Sequence, residues 1–319
     1  MIAHRHVTVN GLDLHLAEAG PADGPVVLLL HGFPECWYSW RHQLVALSAA
    51  GFHVVAPDQR GYGRSAAPSA VEDYSILHLA GDAVGVLDAV GAARAVVVGH
   101  DWGAPVAWHT ALLRPDRVRG VAALSVPHLP RTAGPPTPLM ARRYGERFYQ
   151  LWFQQPGPAD AELAADPRGS FRRVLTGIGA GSPVVPPGGG FLDALADRPA
   201  LPGWLTEDDL DVYVAEYARN GFTGGLNWYR NLDRNWALTA AWHGAPITPP
   251  ALFLAGEQDL VVAGIGADAL ATTLRRTCTD LREVRLLPGC GHWTQQERPA
   301  EVNAALIAFA TDPDRTSPT

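Results

Sequence analysis

The sequence predicts an α/β fold in which a mostly parallel, doubly wound sheet is interrupted once, after its sixth strand, by a helical segment. Short apolar runs alternate with helix-type periodicity in residues 26–126 and again in residues 251–310. This alternation is typical of parallel strands joined by crossover helices. Residues 127–245 instead carry helical patterns separated by linkers rich in Pro and Gly, which indicates an insertion into the α/β fold.

The strands and core helices can be assigned in chain order. Asn10-Gly11 lies between two alternating runs and predicts an antiparallel hairpin at one edge of the sheet. The later apolar runs predict parallel strands that are buried on both faces, because helices cover both sides of such a sheet. The predicted strands are residues 6–9, 12–17, 26–30, 53–56, 95–98, 119–126, 251–255 and 283–287. The predicted core helices are residues 40–50, 76–90, 105–113, 263–276 and 299–310.

The insertion divides the predicted core into a first part, residues 1–128, and a second part, residues 246–319, on either side of a helical cap, residues 129–245. The cap helices are predicted at residues 140–153, 160–165, 171–174, 207–220 and 226–236. Residues 176–203 include Pro186-Pro187-Gly188-Gly189-Gly190 and predict a mobile loop. Residues 311–319 predict a frayed polar tail.

Composition excludes several classes of function. With 319 residues, 47% of them hydrophobic, the chain can bury a large core. The net charge is −7, and the charged residues are interspersed along the chain without a basic cluster. We therefore expect neither nucleic acid nor a membrane as a partner. The amino-terminal residues lack an apolar signal core, which favours a cytoplasmic location. Three widely spaced cysteines and no C-x-x-C or H-x-x-x-H pair indicate neither a disulfide framework nor a metal site. We expect no cofactor, and a monomer or a homodimer.

The central feature is the stretch Gly99-His100-Asp101-Trp102-Gly103, which joins a buried strand to a helix. Its G-x-D-x-G spacing matches the nucleophile elbow G-x-S-x-G, a strained turn that holds one reactive side chain clear of the sheet. Here the residue at the apex is Asp101. A carboxylate that is ionised at neutral pH can displace a leaving group from saturated carbon, which is not the chemistry of a serine esterase or protease.

Two later loops complete a catalytic set. Asp259 follows one late strand, and His292 follows the next in a Gly-Cys-Gly-His turn. Both should therefore lie at the same edge of the sheet as Asp101. An isolated Asp is often a helix cap, and an isolated His is often a surface residue. Their place behind an elbow instead favours a base, His292, that Asp259 orients. His100 and His31 are expected to support the fold around the site.

These motifs together resemble those of an epoxide hydrolase of the α/β-hydrolase superfamily, close to the hydrolase domain of soluble epoxide hydrolases. The chain order nucleophile, acid, histidine is the order in that fold. The resemblance covers most of the chain except residues 176–203, and it rests on motifs in both the core and the insertion. These are His31-Gly32-Phe33-Pro34-Glu35, Ser39-Trp40-Arg41, Gly61-Tyr62-Gly63-Arg64-Ser65, Gly99-His100-Asp101-Trp102-Gly103, Phe148 to Gly157, Gly224 to Asn231 and Gly291-His292-Trp293-Thr294.

The resemblance implies that Tyr149 and Tyr229, one from each cap motif, grip the epoxide oxygen. Chemistry supports this role, since a phenol with a reference pKa of about 10 can donate a proton to a developing alkoxide without being ionised at rest. Asp101 would form a hydroxyalkyl ester, which a water activated by His292 would hydrolyse. The backbone N–H groups of Phe33 and Trp102 would hold the resulting oxyanion, because Pro34 has no N–H and the residue after the nucleophile contributes one.

The remaining site residues are predicted to shape or support the pocket. Trp102, Trp152, Phe153 and Trp228 should line it, and Glu35 and His31 should lie behind it. The expected partners are a small apolar epoxide and water. Two alternatives stay open: a haloalkane dehalogenase with the same carboxylate nucleophile, and a catalytically silent ligand-binding protein of the same fold.

Overall fold

A single eight-stranded sheet runs through the computed structural model, which describes residues 1–179 and 183–312. Its strand order is β1-β2-β4-β3-β5-β6-β7-β8. The strands are β1 (Ala3–Val9), β2 (Leu12–Ala19), β3 (Val26–Leu30), β4 (His53–Pro57), β5 (Ala95–His100), β6 (Val118–Leu124), β7 (Ala251–Gly256) and β8 (Leu281–Leu287). β2 is antiparallel to both of its neighbours, and every other pair is parallel. The predicted fold class and the amino-terminal hairpin are therefore confirmed.

The α-helices are α1 (Arg41–Ala49), α2 (Ile76–Ala89), α3 (Gly103–Leu113), α4 (Pro136–Tyr144), α5 (Tyr149–Trp152), α6 (Pro158–Ala165), α7 (Pro167–Gly177), α8 (Glu207–Tyr217), α9 (Thr223–Arg230), α10 (Leu232–Leu238), α11 (Ala267–Leu274), α12 (Thr294–Glu297) and α13 (Pro299–Thr311). Five of them, α1, α2, α3, α11 and α13, match the predicted core helices. α12 was not predicted, because four residues are too few to show helical periodicity.

The centre of the sheet carries the most apolar strands, as expected for strands covered on both faces. Every residue of β4, β5 and β7 is buried. β5 lies between β3 and β6, and β7 lies beyond β6. Because these strands are parallel, the loops that follow β3, β5, β7 and β8 emerge at one edge of the sheet. All of the predicted catalytic residues of the core lie in those loops.

Helices α4 to α10 all lie between β6 and β7. Two helices predicted as continuous are each divided in two. The first is interrupted between α4 and α5 at Gly145, whose φ of 87° is outside the helical region and favours glycine. The second is interrupted at Asn231, which separates α9 from α10.

The loop predicted at residues 176–203 has little regular structure, but its described part packs against the cap. Val184 forms an isolated bridge with Phe148. Val185, Phe191 and Leu195 are all buried. Residues 180–182 lie outside the described residues, as does most of the predicted carboxyl-terminal tail, residues 313–319.

Three further observations bear on the composition argument. Cys36, Cys278 and Cys290 are buried and are not paired with one another. Within residues 1–179 and 183–312, no helix combines the length and the apolar character needed to cross a bilayer. The same residues contain no cluster of three or more His, Cys, Asp or Glu side chains that could hold a metal ion.

Candidate active site

The turn after β5 holds Asp101 in a strained backbone conformation. Its φ is +49°, a region that residues other than glycine rarely adopt. The flanking glycines make the turn possible: a Cβ on Gly99 would lie 2.0 Å from the carbonyl oxygen of Gly103, and one on Gly103 would lie 2.0 Å from that of Leu30. The chain can therefore pass directly from β5 into α3 while the Asp101 side chain projects from the edge of the sheet. Strain of this kind is often found at catalytic residues.

The Asp101 carboxylate is largely enclosed, with 16% of its side chain exposed. The backbone N–H of Phe33 donates a hydrogen bond to Oδ1 at 2.8 Å. His292 Nε2 lies 3.5 Å from Oδ2. Burial alone would raise the pKa of Asp101, but the hydrogen bond and charge of His292 oppose it, and the net pKa is below the usual value. Asp101 is therefore an ionised carboxylate at neutral pH.

His292 and Asp259 form a buried pair behind Asp101. His292 Nδ1 lies 3.0 Å from Asp259 Oδ1. The two side chains are 4% and 0% exposed, so little solvent weakens their interaction. The backbone N–H of Val261 also donates to Asp259 Oδ1, at 2.9 Å, which fixes the carboxylate in the loop after β7.

The charge around His292 determines its protonation. Burial lowers the pKa of an imidazole, but here the negative charges of Asp259 and Asp101 prevail and raise the pKa well above the usual value. His292 is therefore an imidazolium while Asp101 is ionised. Any reaction that neutralises Asp101 would remove one of the two charges that hold this proton.

Tyr149 and Tyr229 face the carboxylate from the insertion. Tyr149 begins α5 and Tyr229 lies near the end of α9, and their ring centroids are 6.2 Å apart. Both side chains line cavities that Asp101 also lines. Burial raises the pKa of each phenol, and the charge of Asp101 raises it further. Both tyrosines are therefore protonated at neutral pH and can donate hydrogen bonds.

Of the two predicted backbone donors, only the N–H of Phe33 makes a hydrogen bond to Asp101 in this structure. The N–H of Trp102 makes no hydrogen bond to any residue in the described ranges. Trp102 directly follows Asp101 and is the N-cap of α3.

A buried polar network connects the loop after β3 to the loop that carries His292. Glu35 is 0% exposed, and its Oε2 lies 2.8 Å from His100 Nδ1. His100 Nε2 lies 2.8 Å from the carbonyl oxygen of His292. Gln295 and Gln296 each donate to Glu35 Oε1, at 2.9 and 3.0 Å. Sequence reasoning did not identify these two glutamines, because no motif distinguishes a buried glutamine from a solvent-exposed one.

His31 links the loop after β3 to the loop after β4. Its Nε2 accepts a hydrogen bond from the backbone N–H of Gln59 at 3.1 Å, and its Nδ1 lies 3.0 Å from the carbonyl oxygen of Gly32. A Cβ on Gly32 would lie 2.3 Å from Asp101 Oδ1. Close approach of this loop to the nucleophile therefore requires glycine there.

Two cavities meet at the nucleophile. We call the larger one, of about 480 Å³, the large lobe, and the smaller one, of about 30 Å³, the small lobe. Asp101, Tyr149 and Tyr229 line both. The large lobe is otherwise mostly apolar, and its walls include Trp102, Trp108, Leu112, Val126, Trp236 and Trp242. The small lobe is enclosed by Phe33, Val174, Ile178, Pro183, Phe191, Leu260, Val261 and His292.

Three of the four aromatic residues predicted to line the pocket do not lie on the walls of either lobe. Trp228 is buried behind Trp102, with ring centroids 6.0 Å apart. Phe153 packs behind the two tyrosines, 5.6 Å from Tyr149 and 5.1 Å from Tyr229. Trp152 lies on the side of Arg147, whose guanidinium is 5.8 Å from its ring. Trp228 and Phe153 therefore pack behind residues of the wall, and of the four only Trp102 lines a lobe.

Comparison with known proteins agrees with this geometry. Residues 25–173 match the family model described as alpha/beta hydrolase fold. The chain is 52% identical to epoxide hydrolase A of Mycobacterium tuberculosis over 315 residues, which cover 96% of this chain and 97% of that protein. It is 42% identical to epoxide hydrolase 3 of Siraitia grosvenorii, covering 97% and 98% of the two chains. The crystal structure of epoxide hydrolase A from Mycobacterium thermoresistibile superposes with a TM-score of 0.90 at 51% identity, covering 98% of each chain.

Proposed function

The chain belongs to the epoxide hydrolases of the α/β-hydrolase fold, and from that membership we propose that it converts an epoxide into a vicinal diol through a covalent ester on Asp101. The observation that carries this proposal is the position of the Asp101 carboxylate. It lies within 3.5 Å of His292 on one side and lines a cavity with two protonated tyrosines on the other. The tyrosines can donate a proton to an epoxide oxygen. A departing halide would not need one.

In the first half-reaction, an Asp101 carboxylate oxygen attacks one epoxide carbon, and the bond from that carbon to the ring oxygen breaks. The electron pair passes to the oxygen, which Tyr149 and Tyr229 stabilise by donating hydrogen bonds. Charge-assisted hydrogen bonds of this kind contribute about 1.5–3 kcal/mol each. One of the two phenols then transfers its proton to this oxygen, which gives a hydroxyalkyl ester of Asp101 and leaves a tyrosinate.

In the second half-reaction, His292 takes a proton from water, and the oxygen attacks the carbonyl carbon of the ester. Esterification removes the negative charge of Asp101, which is one cause of the raised pKa of His292. The pKa of His292 therefore falls once the ester forms, so its proton can pass to the tyrosinate. The neutral imidazole then acts as a base while Asp259 keeps it oriented.

The tetrahedral intermediate of this step carries an oxyanion that the epoxide itself lacks. The backbone N–H of Phe33, 2.8 Å from Asp101 Oδ1, is one donor to it, and the N–H of Trp102 is the second. Loss of one such donor typically raises a barrier by about 2.7–4 kcal/mol. Collapse of the intermediate breaks the bond between the ester carbon and the alkyl oxygen, which takes a proton from His292 and leaves as the diol. His292 takes the proton of the remaining carboxyl group, which restores the Asp101 carboxylate and the imidazolium.

The proposal includes a division of the chain into a catalytic core and a cap. The core comprises residues 1–128 and 246–319, and the cap comprises residues 129–245. The supporting feature is the succession of α4 to α10 between β6 and β7. A cytoplasmic location and a monomeric or homodimeric state stay predictions, which cell fractionation and sedimentation would test.

The test is diol formation by the purified protein from styrene oxide, compared with the Asp101→Asn variant. We expect turnover by the native protein and loss of turnover in the variant. Asp116→Asn, at a carboxylate that is 60% exposed, is a control that should retain activity. Halide release from a simple haloalkane at rates matching diol formation would instead support a dehalogenase. Tight epoxide binding without turnover would support a silent binding protein.

A further inference from the structure

We propose that the substrate is an asymmetric epoxide, with a large apolar group on one ring carbon and no more than hydrogen or a methyl group on the other. This inference rests on the proposed function and concerns the substrate class of the same site. It is carried by the unequal sizes of the two lobes that meet at Asp101.

The epoxide must lie where the lobes join. Its oxygen has to face Tyr149 and Tyr229, and one ring carbon has to face Asp101. All three residues line both lobes. With the oxygen and one carbon fixed in this way, the substituents of the two ring carbons extend in opposite directions. One enters the large lobe and the other enters the small lobe.

The lobes differ about 16-fold in volume, at 480 and 30 Å³. The small lobe therefore accommodates hydrogen or a methyl group far more readily than a phenyl ring. The large lobe has room for an aryl or alkyl chain, and it reaches the surface at Leu129 and Trp242, which are 59% and 36% exposed.

The part of the small-lobe wall formed by Phe191 is closely packed. Phe191 is 2% exposed and stacks on Tyr149, with ring centroids 5.7 Å apart. Its other face meets Phe153 at 4.8 Å. Rotation of Phe191 away from the lobe would disturb both contacts, so the small lobe does not readily expand at Phe191.

The second half-reaction imposes the same limit. His292 lines the small lobe but not the large one. The water that His292 deprotonates must reach the ester from that side. A bulky substituent in the small lobe would occupy the space that this water needs, whereas hydrogen would leave it free.

Phe191 lies outside the catalytic motifs, in residues 176–203 of the cap. A smaller residue at position 191 would enlarge the small lobe without changing Asp101, His292 or the tyrosines.

The experiment measures kcat/KM of the native protein for styrene oxide, trans-β-methylstyrene oxide and trans-stilbene oxide, which place hydrogen, methyl and phenyl opposite a common phenyl group. We expect the first two values to agree within about tenfold and the third to be lower by about 100-fold or more, as for pockets that exclude excess volume. Comparable turnover of trans-stilbene oxide and styrene oxide would overturn the inference and leave the proposed function intact. Absence of diol from all three would contradict the proposed function itself, and the inference with it.

Substitutions test the wall directly. Phe191→Ala should raise kcat/KM for trans-stilbene oxide relative to styrene oxide by about tenfold or more, and Phe191→Leu should do so by less. Phe191→Leu removes less of the buried side chain, so it tests the same wall if the alanine variant does not fold. Leu195→Ala is the matched control, because Leu195 is buried in the same loop but lines neither lobe. An unchanged ratio in a folded Phe191 variant, or an equal increase in the control, would overturn the assignment.

Discussion

His292 Nε2 lies 3.5 Å from Asp101 Oδ2, whereas its Nδ1 lies 3.0 Å from Asp259 Oδ1. The shorter contact is a hydrogen bond that orients the ring. The longer contact is at the distance limit of a hydrogen bond. The opposite charges of Asp101 and His292 therefore still attract each other, but the Asp101 oxygen is not held firmly by the base. This arrangement suits the Asp101 carboxylate, which must be free to attack the epoxide carbon and which then lies beside His292 as a neutral ester.

Replacement of His292 should separate the two half-reactions. In His292→Gln, attack by Asp101 can proceed, but no base activates water, so the ester should accumulate. Intact-mass measurement after addition of an epoxide should show an increase equal to the mass of the substrate. In native protein that turns over in heavy-oxygen water, label should enter Asp101. His6→Gln, at an exposed histidine on β1, should show neither accumulation nor loss of activity. A His292→Gln protein without adduct, together with an unlabelled native Asp101, would rule out the covalent scheme.

Neutralisation of Asp101 should lower the pKa of His292. The native pKa is raised by Asp259 and by Asp101, so Asp101→Asn removes one source of negative charge while keeping the shape of the side chain. Titration of the His292 ring followed by NMR should show loss of its proton at lower pH in Asp101→Asn than in the native protein. Asp116→Asn should leave the titration unchanged. Equal values for Asp101→Asn and the native protein would mean that ester formation does not activate the base by this route.

Much of the fold follows from the sequence because its determinants are local. A few consecutive residues are enough to predict strands β3, β5 and β7 from their apolar runs. The same holds for the turn at Asp101, which its flanking glycines indicate. The order of Asp101, Asp259 and His292 also follows, since each comes directly after a strand whose carboxyl end lies at the same edge. The shape of the pocket does not follow. The direction of an aromatic ring depends on tertiary packing, which is why the sequence alone places Trp152, Phe153 and Trp228 on a wall that none of them lines.

The buried Glu35 should matter for stability and for the second half-reaction. Glu35→Gln replaces a carboxylate oxygen that contacts His100 and the backbone N–H of Gly32, and a buried polar group left without its partner typically lowers the free energy of unfolding by about 1–3 kcal/mol. Because His100 contacts the carbonyl oxygen of His292, hydrolysis of the ester should slow more than its formation. Denaturant unfolding and single-turnover kinetics measure the two effects. Glu301→Gln, at an exposed position in α13, should change neither, and a Glu35→Gln protein as stable as the native one would show that the network is dispensable.

Loss of either cap phenol should slow opening of the epoxide. Tyr149→Phe and Tyr229→Phe each remove one hydrogen bond to the developing alkoxide, at a cost of about 1.5–3 kcal/mol, or roughly 10- to 150-fold in the rate of ester formation. The double variant should lose more than either single variant, because no phenol is left to protonate the oxygen. Stopped-flow measurement of ester formation reports this step, and the rate of ester hydrolysis should change little. Tyr144→Phe, in α4 and on the wall of neither lobe, is the matched control. If the double variant formed ester at the native rate, the oxygen would have to be protonated by another group, and the assignment of both tyrosines would fail.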